Sequence, residues 1–300
     1  MLGGGRLSGG SEARTAGGAA ELLSAGKAFA DLSSWRKIAV SGADAPGWLD
    51  ALVTADLDGM APGRARRTLL LSPTGAVLAE FTVADTGDGF LLLQDPAQAR
   101  AVDELLEPYV LSSDVRLQDR SDGLAVFAFP GRTQPPKAPG GTASAPSALG
   151  AGVDLICLAE DRQRLRDAFS EAFAVASEED VEAWRVASGI ARFAVDADDG
   201  DLPMECGLGE AVAFAKGCFL GQEAVAKVRN LGHPRRVLLR LAASGAARAG
   251  ERLLADGVDA GTVTSAAALG GRWYVLARVR WEARSGPLRT SSGVSLAPVG

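Results

Sequence analysis

One histidine, two tyrosines, three methionines and three cysteines are all that 300 residues hold of those types, and each shortage removes a class of function. The histidine, His233, is followed directly by Pro234, and there is no G-x-S-x-G, so a Ser/His/Asp hydrolase is not expected. Cys157, Cys206 and Cys218 are odd in number and show no C-x-x-C spacing, which argues against a disulfide framework and fits a reducing compartment. Nor can they supply, with one histidine, the four ligands of an iron–sulfur or structural zinc site, so no metal is expected. No uncharged apolar run approaches the roughly 20 residues that cross a bilayer, and Met1 to Gly10 has no signal-type apolar region. A cytoplasmic protein with no membrane partner is the expectation. Thirty-one Lys+Arg against 37 Asp+Glu give a net charge of −6, and hence no overall field for a phosphate backbone. A local basic cluster, Lys227, Arg229, His233, Arg235 and Arg236, reads as a solvated face that could attract an anionic tail or RNA. There is no Walker A sequence, and Gly207-Leu-Gly209 lacks both the third glycine and the preceding strand of a dinucleotide fingerprint.

What is present is a 47% hydrophobic chain of about two domains' length. Residues 1–20 read as a loose tail. Ile38-Ala-Val40 followed by Asp44, Pro46 and apolar 48, 49 and 52 predicts a strand and a helix. Thr68–Leu71, Val77–Val83 and Phe90–Leu93, separated by Ser72-Pro-Thr-Gly75 and Asp85-Thr-Gly-Asp-Gly89, predict a hairpin series. Asp95-Pro96 predicts the start of a helix reaching Leu106. A second strand and helix set follows, with helices over about 162–174 and 178–189, the latter opened by a capping box, Ser177-Glu-Glu-Asp180. Five prolines and five glycines over 130–152 suit an insertion rather than a regular element. From Arg236 onward, short strands between glycine turns predict a small antiparallel barrel. The expected units are 21–110, 111–233 and 234–300.

One segment carries chemistry: Lys216-Gly-Cys218-Phe-Leu-Gly221-Gln222-Glu223. Gly221 can enter a helix whose first turn favours Glu223, so Cys218 is expected beside an ammonium and a helix N-terminus, both of which favour thiolate. The alternative is a buried, inert Cys218 and a solvated Lys216.

This segment resembles the K-G-C-Y-x-G-Q-E signature of the YgfZ-type folate-binding proteins, relatives of the T protein, or aminomethyltransferase, of the glycine cleavage system. Phe219 stands for the tyrosine. Arg185-Val-Ala-Ser-Gly-Ile190, Leu202-Pro203-Met-Glu205, Ala249-Gly-Glu251 and Gly261-Thr-Val-Thr-Ser265 extend the likeness, as do Asp31-Leu-Ser33, Gly42-Ala-Asp44 and Ser72-Pro-Thr-Gly75. It covers about residues 28–285.

The resemblance implies an α+β fold: two ferredoxin-like units around a central folate cavity, plus the barrel. It implies tetrahydrofolate binding and a role in iron–sulfur cluster assembly or repair, with iron–sulfur client proteins as partners and tRNA-modifying enzymes among them. Cys218 and Lys216 are then the reactive pair, and Arg185, Asp196, Glu205, Gln222 and Glu223 the candidates for holding folate, Glu205 foremost. The alternatives are a folate-dependent one-carbon transferase and an adaptor with a vestigial site. The T proteins work on folate with a carboxylate in a G-G-x-L-D-D frame. The matching stretch here ends in Ala79-Glu80, and their arginine-x-glutamate reads Arg185-Val-Ala187. With both carboxylates replaced and Glu80 expected on the opposite face of its strand from residue 79, aminomethyl turnover is not expected.

Overall fold

The computed structural model describes residues 18–138, 143–197 and 200–299, so most of the tail expected over 1–20 lies outside the described residues. The chain runs α1 (Ala19–Ser24), β1 (Ala28–Asp31), β2 (Arg36–Ser41), α2 (Ala45–Leu52), β3 (Ala65–Leu71), β4 (Val77–Asp85), β5 (Phe90–Gln94), α3 (Val102–Leu106) and β6 (Arg116–Asp119). It continues through β7 (Leu124–Phe129), β8 (Ala143–Pro146), β9 (Val153–Leu158), α4 (Arg162–Ser170), β10 (Ala174–Ala176), α5 (Glu178–Ser188) and α6 (Gln222–Leu231). The last strands are β11 (Arg236–Ala243), β12 (Arg252–Ala255), β13 (Val258–Leu269), β14 (Arg272–Arg280), β15 (Leu288–Thr290) and β16 (Ser295–Pro298).

These strands make two sheets and a barrel. The first sheet has the order β3-β4-β5-β2-β6, antiparallel throughout; the second has the order β10-β1-β7-β9-β8, in which only β1 and β10 run parallel. The mixed α+β class and the C-terminal barrel are as the sequence led us to expect, and the barrel closes with six strands when β11 pairs with β16. The two sheets are not built from two consecutive stretches of chain. Each sheet has five strands, and β1, which precedes the whole first sheet in the chain, pairs with β7 and β10 of the second. Its composition explains the placement: Ala28-Phe29-Ala30 has no polar alternation, so both faces must be covered. Phe29 packs among Phe127, Phe129 and Phe169 beneath α4, while Ala30 joins Leu32, Leu91, Leu93, Val126 and Ile156 where the sheets face each other. Burying each of the Phe, Leu, Val and Ile side chains contributes roughly 1.5–3 kcal/mol.

Two local expectations change. The helix predicted from Pro96 begins only at Val102. Asp95 spends Oδ1 on the Ala97 amide, and Gln98 turns inward, accepting from the Glu80 amide at 3.0 Å and donating to its carbonyl at 2.6 Å, so local side chains outcompete the helical ladder. In the Pro/Gly-rich stretch, β8 forms and pairs with β9, whereas residues 139–142 lie outside the described residues. The capping box at α5 forms: Asp180 donates its amide to Ser177 Oγ, and Ser177 donates its own to Asp180 Oδ2 at 3.0 Å.

Residues 191–225 cover the Leu69, Leu71 and Val77 edge of the first sheet with Phe193, Cys206, Val212, Phe219 and Val225. Gly221 makes this contact possible. It sits at φ 80°, and a Cβ there would lie 2.5 Å from the Ser72 carbonyl oxygen, so the 216–223 motif docks against the Ser72–Gly75 turn only as glycine.

Candidate active site

Between the two sheets and α5 lies a cavity of about 700 Å³, a size suited to a ligand larger than a metabolite fragment. Its walls come from Asp31 at the end of β1, Trp35 after it, Arg67 of β3, Glu80 and Thr82 of β4, the Asp95 to Gln98 turn, Ala148 and Leu149, and Arg162 and Arg166 of α4. Glu182, Trp184 and Arg185 of α5, with Arg192 beyond it, close the remaining side.

Strand alternation decides which group of β4 faces this space. Ala79 is fully buried in the core beneath α2 and α3, whereas Glu80 lines the cavity. Residues 79 and 80 do face opposite ways, as the sequence led us to expect, but the cavity is on the Glu80 side. The expectation that residue 79 faces the ligand and Glu80 is turned away from it is therefore corrected. One carboxylate oxygen of Glu80 accepts from Arg67, and Oε2 accepts from the Phe193 amide at 2.8 Å. These bonds fix the group: Oε1 is taken by both Nε and Nη2 of Arg67, and Oε2 keeps a lone pair for a ligand.

Two further carboxylates are matched by arginines. Asp95 forms a bidentate pair with Arg192, whose Nη2 lies 3.0 Å from Oδ1, and donating these hydrogen bonds to Asp95 holds the guanidinium pKa above its ordinary value. Glu182 accepts from Arg185 Nη2 at 2.6 Å. Burial works against the Arg185 charge, but the Asp196 and Glu182 carboxylates outweigh it and raise the pKa.

Of the residues expected to react or to hold folate, Arg185 lines the cavity and the others do not. Asp196 lies behind it: wholly buried, it takes Arg185 Nη1 at 2.7 Å and accepts from Thr264 at 2.5 Å and Ser265 at 2.7 Å in the barrel. Glu205 caps a loop through the Leu202 and Arg235 amides, at 3.4 and 3.2 Å. Gln222 and Glu223 open α6, away from the cavity. Lys216 spends its ammonium on partners other than Cys218. It is buried, and its Nζ donates to the carbonyls of Asp50, Val53 and Ala55 and to Asp50 Oδ1 at 2.6 to 3.1 Å, because the end of α2 and the loop after it offer unpaired acceptors there. Cys218 is the exposed cysteine; Cys157 and Cys206 are buried, and burial pushes the Cys206 thiol up to about 12. The cavity residues that sequence reasoning passed over, Arg67, Asp95, Gln98, Glu182 and Arg192, carry no spacing signal, since four separate segments contribute them.

Residues 19–138 match the GCVT N-terminal domain model. The chain is 26% identical over 272 residues to an aminomethyltransferase of Streptomyces avermitilis, covering 79% of this chain and 73% of the relative. It is 27% identical to the aminomethyltransferase of Geobacillus kaustophilus, covering 78% and 73%. The glycine cleavage system aminomethyltransferase T from Bartonella henselae superposes with a TM-score of 0.79 over 94% of this chain and 88% of that one, at 17% identity. The fold is GCVT-like. These likenesses favour the aminomethyl-transfer alternative over the iron–sulfur accessory role, and the GCVT-like relationship is broader than the YgfZ-type group whose signature the 216–223 segment resembles. No helix among the described residues is long and apolar enough to cross a membrane.

Proposed function

We propose that this chain binds a reduced folate in the cavity between its sheets and transfers a one-carbon unit as an aminomethyltransferase does. The observation that carries the reading is Glu80: the carboxylate next to the position where the T-protein frame bears its first aspartate faces the cavity, fixed by Arg67 and the Phe193 amide. The lining suits a reduced pterin, whose ring N–H and amino groups need acceptors and whose face needs apolar cover. Glu80, Asp95 and Glu182 offer the acceptors, and Trp35 and Leu149 the cover. Glu80 then serves as proton acceptor or charge stabiliser at the reacting end, while Arg67 holds it against rotation. Turnover of tetrahydrofolate with an aminomethyl donor, followed by Glu80→Gln, tests the reading. The wild type should form the one-carbon folate, and the variant should lose about 10²- to 10⁴-fold in rate while still binding tetrahydrofolate. A wild type that binds no reduced folate overturns it.

A second reading, an accessory role toward iron–sulfur proteins as in the YgfZ-type group, draws on the 216–223 motif and on the exposure of Cys218 outside the cavity. It expects Cys218→Ala to lower the activity of iron–sulfur enzymes in cells without changing folate turnover. Normal enzyme activities in that strain overturn it.

A further inference from the structure

One wall of the cavity is a strap of chain. Residues 147–152, Ser-Ala-Leu-Gly-Ala-Gly, run between β8 and β9 and bring Ala148 and Leu149 to the lining. Leu149 is the strap's single large apolar side chain, half-buried against the inter-sheet cluster of Ala30, Val126 and Ile156 and against the cluster around Trp184. Gly150 and Gly152 stand at φ 93° and 105°, so the strap turns on residues that no side chain restrains. Three of its amides bond within the strap: Ser147 N–H donates to the Gly152 carbonyl and Gly150 N–H to the Ser147 carbonyl, each at 3.1 Å, and Leu149 N–H to Ser147 Oγ at 3.2 Å. The Ala148 amide instead leaves the strap and donates to Asp154 Oδ2 of β9 at 2.8 Å.

Asp154 is wholly buried. Alternation along β9 puts it on the side of Ile156, which faces the first sheet, while Val153, Leu155 and Cys157 pack with Leu165 and Phe169 of α4. Its Oδ1 has no partner, and its hydrogen bonds come from the Ala148 amide and the Ser147 side chain, both of the strap. Ala128 of β7 and Ala145 of β8 stand opposite it in the sheet, and Ala65 of β3 and Ala84 of β4 pack against Ala145, so none of these neighbours titrates. The charges that β3, β4 and α5 bring to the cavity are paired with each other, Arg67 with Glu80 and Arg185 with Glu182.

We infer that the 147–152 strap is a flap in the cavity wall and that Asp154 is its proton-operated latch, closed while the carboxyl is protonated and released when it ionises. A neutral carboxyl tolerates burial between apolar neighbours, whereas a carboxylate there leaves a charged oxygen without a partner. Lifting the strap lets water reach it. Burial pushes the carboxyl up to about 7 with the strap closed, and access to water returns it toward the ordinary 3.8. The closed form therefore holds the proton more tightly: closure is firmest below about pH 4, weakens as pH rises through about 7, and is level above that. The flap belongs to the cavity whatever fills it, so this inference does not depend on the folate reading.

The test is hydrogen exchange of the full chain between pH 5 and pH 8, with rates corrected for the intrinsic pH dependence of exchange. Protection of the Ser147, Ala148, Leu149 and Gly150 amides should fall about a hundredfold across this range in the wild type, and less than about threefold in Asp154→Asn, which keeps an acceptor for Ala148 but cannot ionise. Low urea should leave exchange in the strap unchanged while it speeds exchange in β7 and β9, because lifting a flap exposes little surface. Leu149→Ala should raise strap exchange at both ends of the range and keep the hundredfold dependence, so the question stays answerable if Asp154→Asn folds poorly. A flat wild-type profile, parallel profiles for wild type and Asp154→Asn, or strap exchange as steep in urea as that of β7 overturns the inference.

Discussion

Arg185 Nη1 and Asp196 Oδ2 meet at 2.7 Å with both side chains almost wholly out of water, and the pair holds α5 to the barrel. Ser265 completes it by accepting from Arg185 and donating to Asp196, both at 2.7 Å. Glu182 and Arg185 reach the cavity from α5, so this pair supports the cavity wall as well as the junction. Asp196→Ala leaves a buried guanidinium with only Glu182, Ser265 and the Ile190 carbonyl. We expect a loss of about 3 kcal/mol in urea unfolding, larger than for an exposed pair such as Arg280 with Asp259. Equal effects of the two disruptions would show that the buried pair is not a principal tie.

Asp154 on β9 is fully buried, accepts the Ala148 amide at 2.8 Å, and leaves Oδ1 without a partner. Burial pushes its pKa up to about 7 from the ordinary 3.8, against the lowering effect of the Ala148 and Ser147 hydrogen bonds. The native state therefore holds this proton more tightly than the unfolded chain, and the slope of stability with pH is negative between the two values. Stability from this group is highest below about pH 4, falls as pH rises through about 7, and is level above that. Between pH 5 and pH 8 the wild type should lose on the order of 3 kcal/mol relative to Asp154→Asn, read by urea unfolding at each pH. Parallel pH profiles for the two proteins would contradict it.

Cys218 should take up a thiol reagent first. It is exposed, whereas burial raises the thiol pKa of Cys157 and of Cys206 and closes off both groups. Substoichiometric alkylation with peptide mapping should find most label on Cys218. Preferential labelling of either buried cysteine would mean that its segment opens readily.

Lys216 should matter for folding and not for that thiol. Its Nζ is the partner of the Asp50, Val53 and Ala55 carbonyls and of the Asp50 carboxylate, so Lys216→Met strands several acceptors in a buried place. We expect a loss of about 2–4 kcal/mol, with the alkylation rate of Cys218 within about twofold in the folded fraction. A large fall in that rate would restore Lys216 as an activator.

Features written in local pattern are legible in the sequence. The capping box at Ser177 and Asp180, the hairpins around Ser72 and Gly89 and the short strands of the barrel need only nearby residues, so periodicity and turn chemistry suffice to find them. The 216–223 motif was legible too, and with it the likeness that the GCVT N-terminal match and the aminomethyltransferase relatives bear out at the broader level. What the sequence alone could not decide is which side of β4 faces the cavity, because alternation separates Ala79 from Glu80 without saying where the second sheet will lie. That depended on β1 leaving its neighbours in sequence to pair with β7 and β10, a long-range choice driven by the need to cover both faces of Ala28-Phe29-Ala30. The same holds for Lys216, whose apparent neighbour in sequence was Cys218 but whose charge is drawn to carbonyls about 160 residues away, where a buried ammonium finds the acceptors it must have.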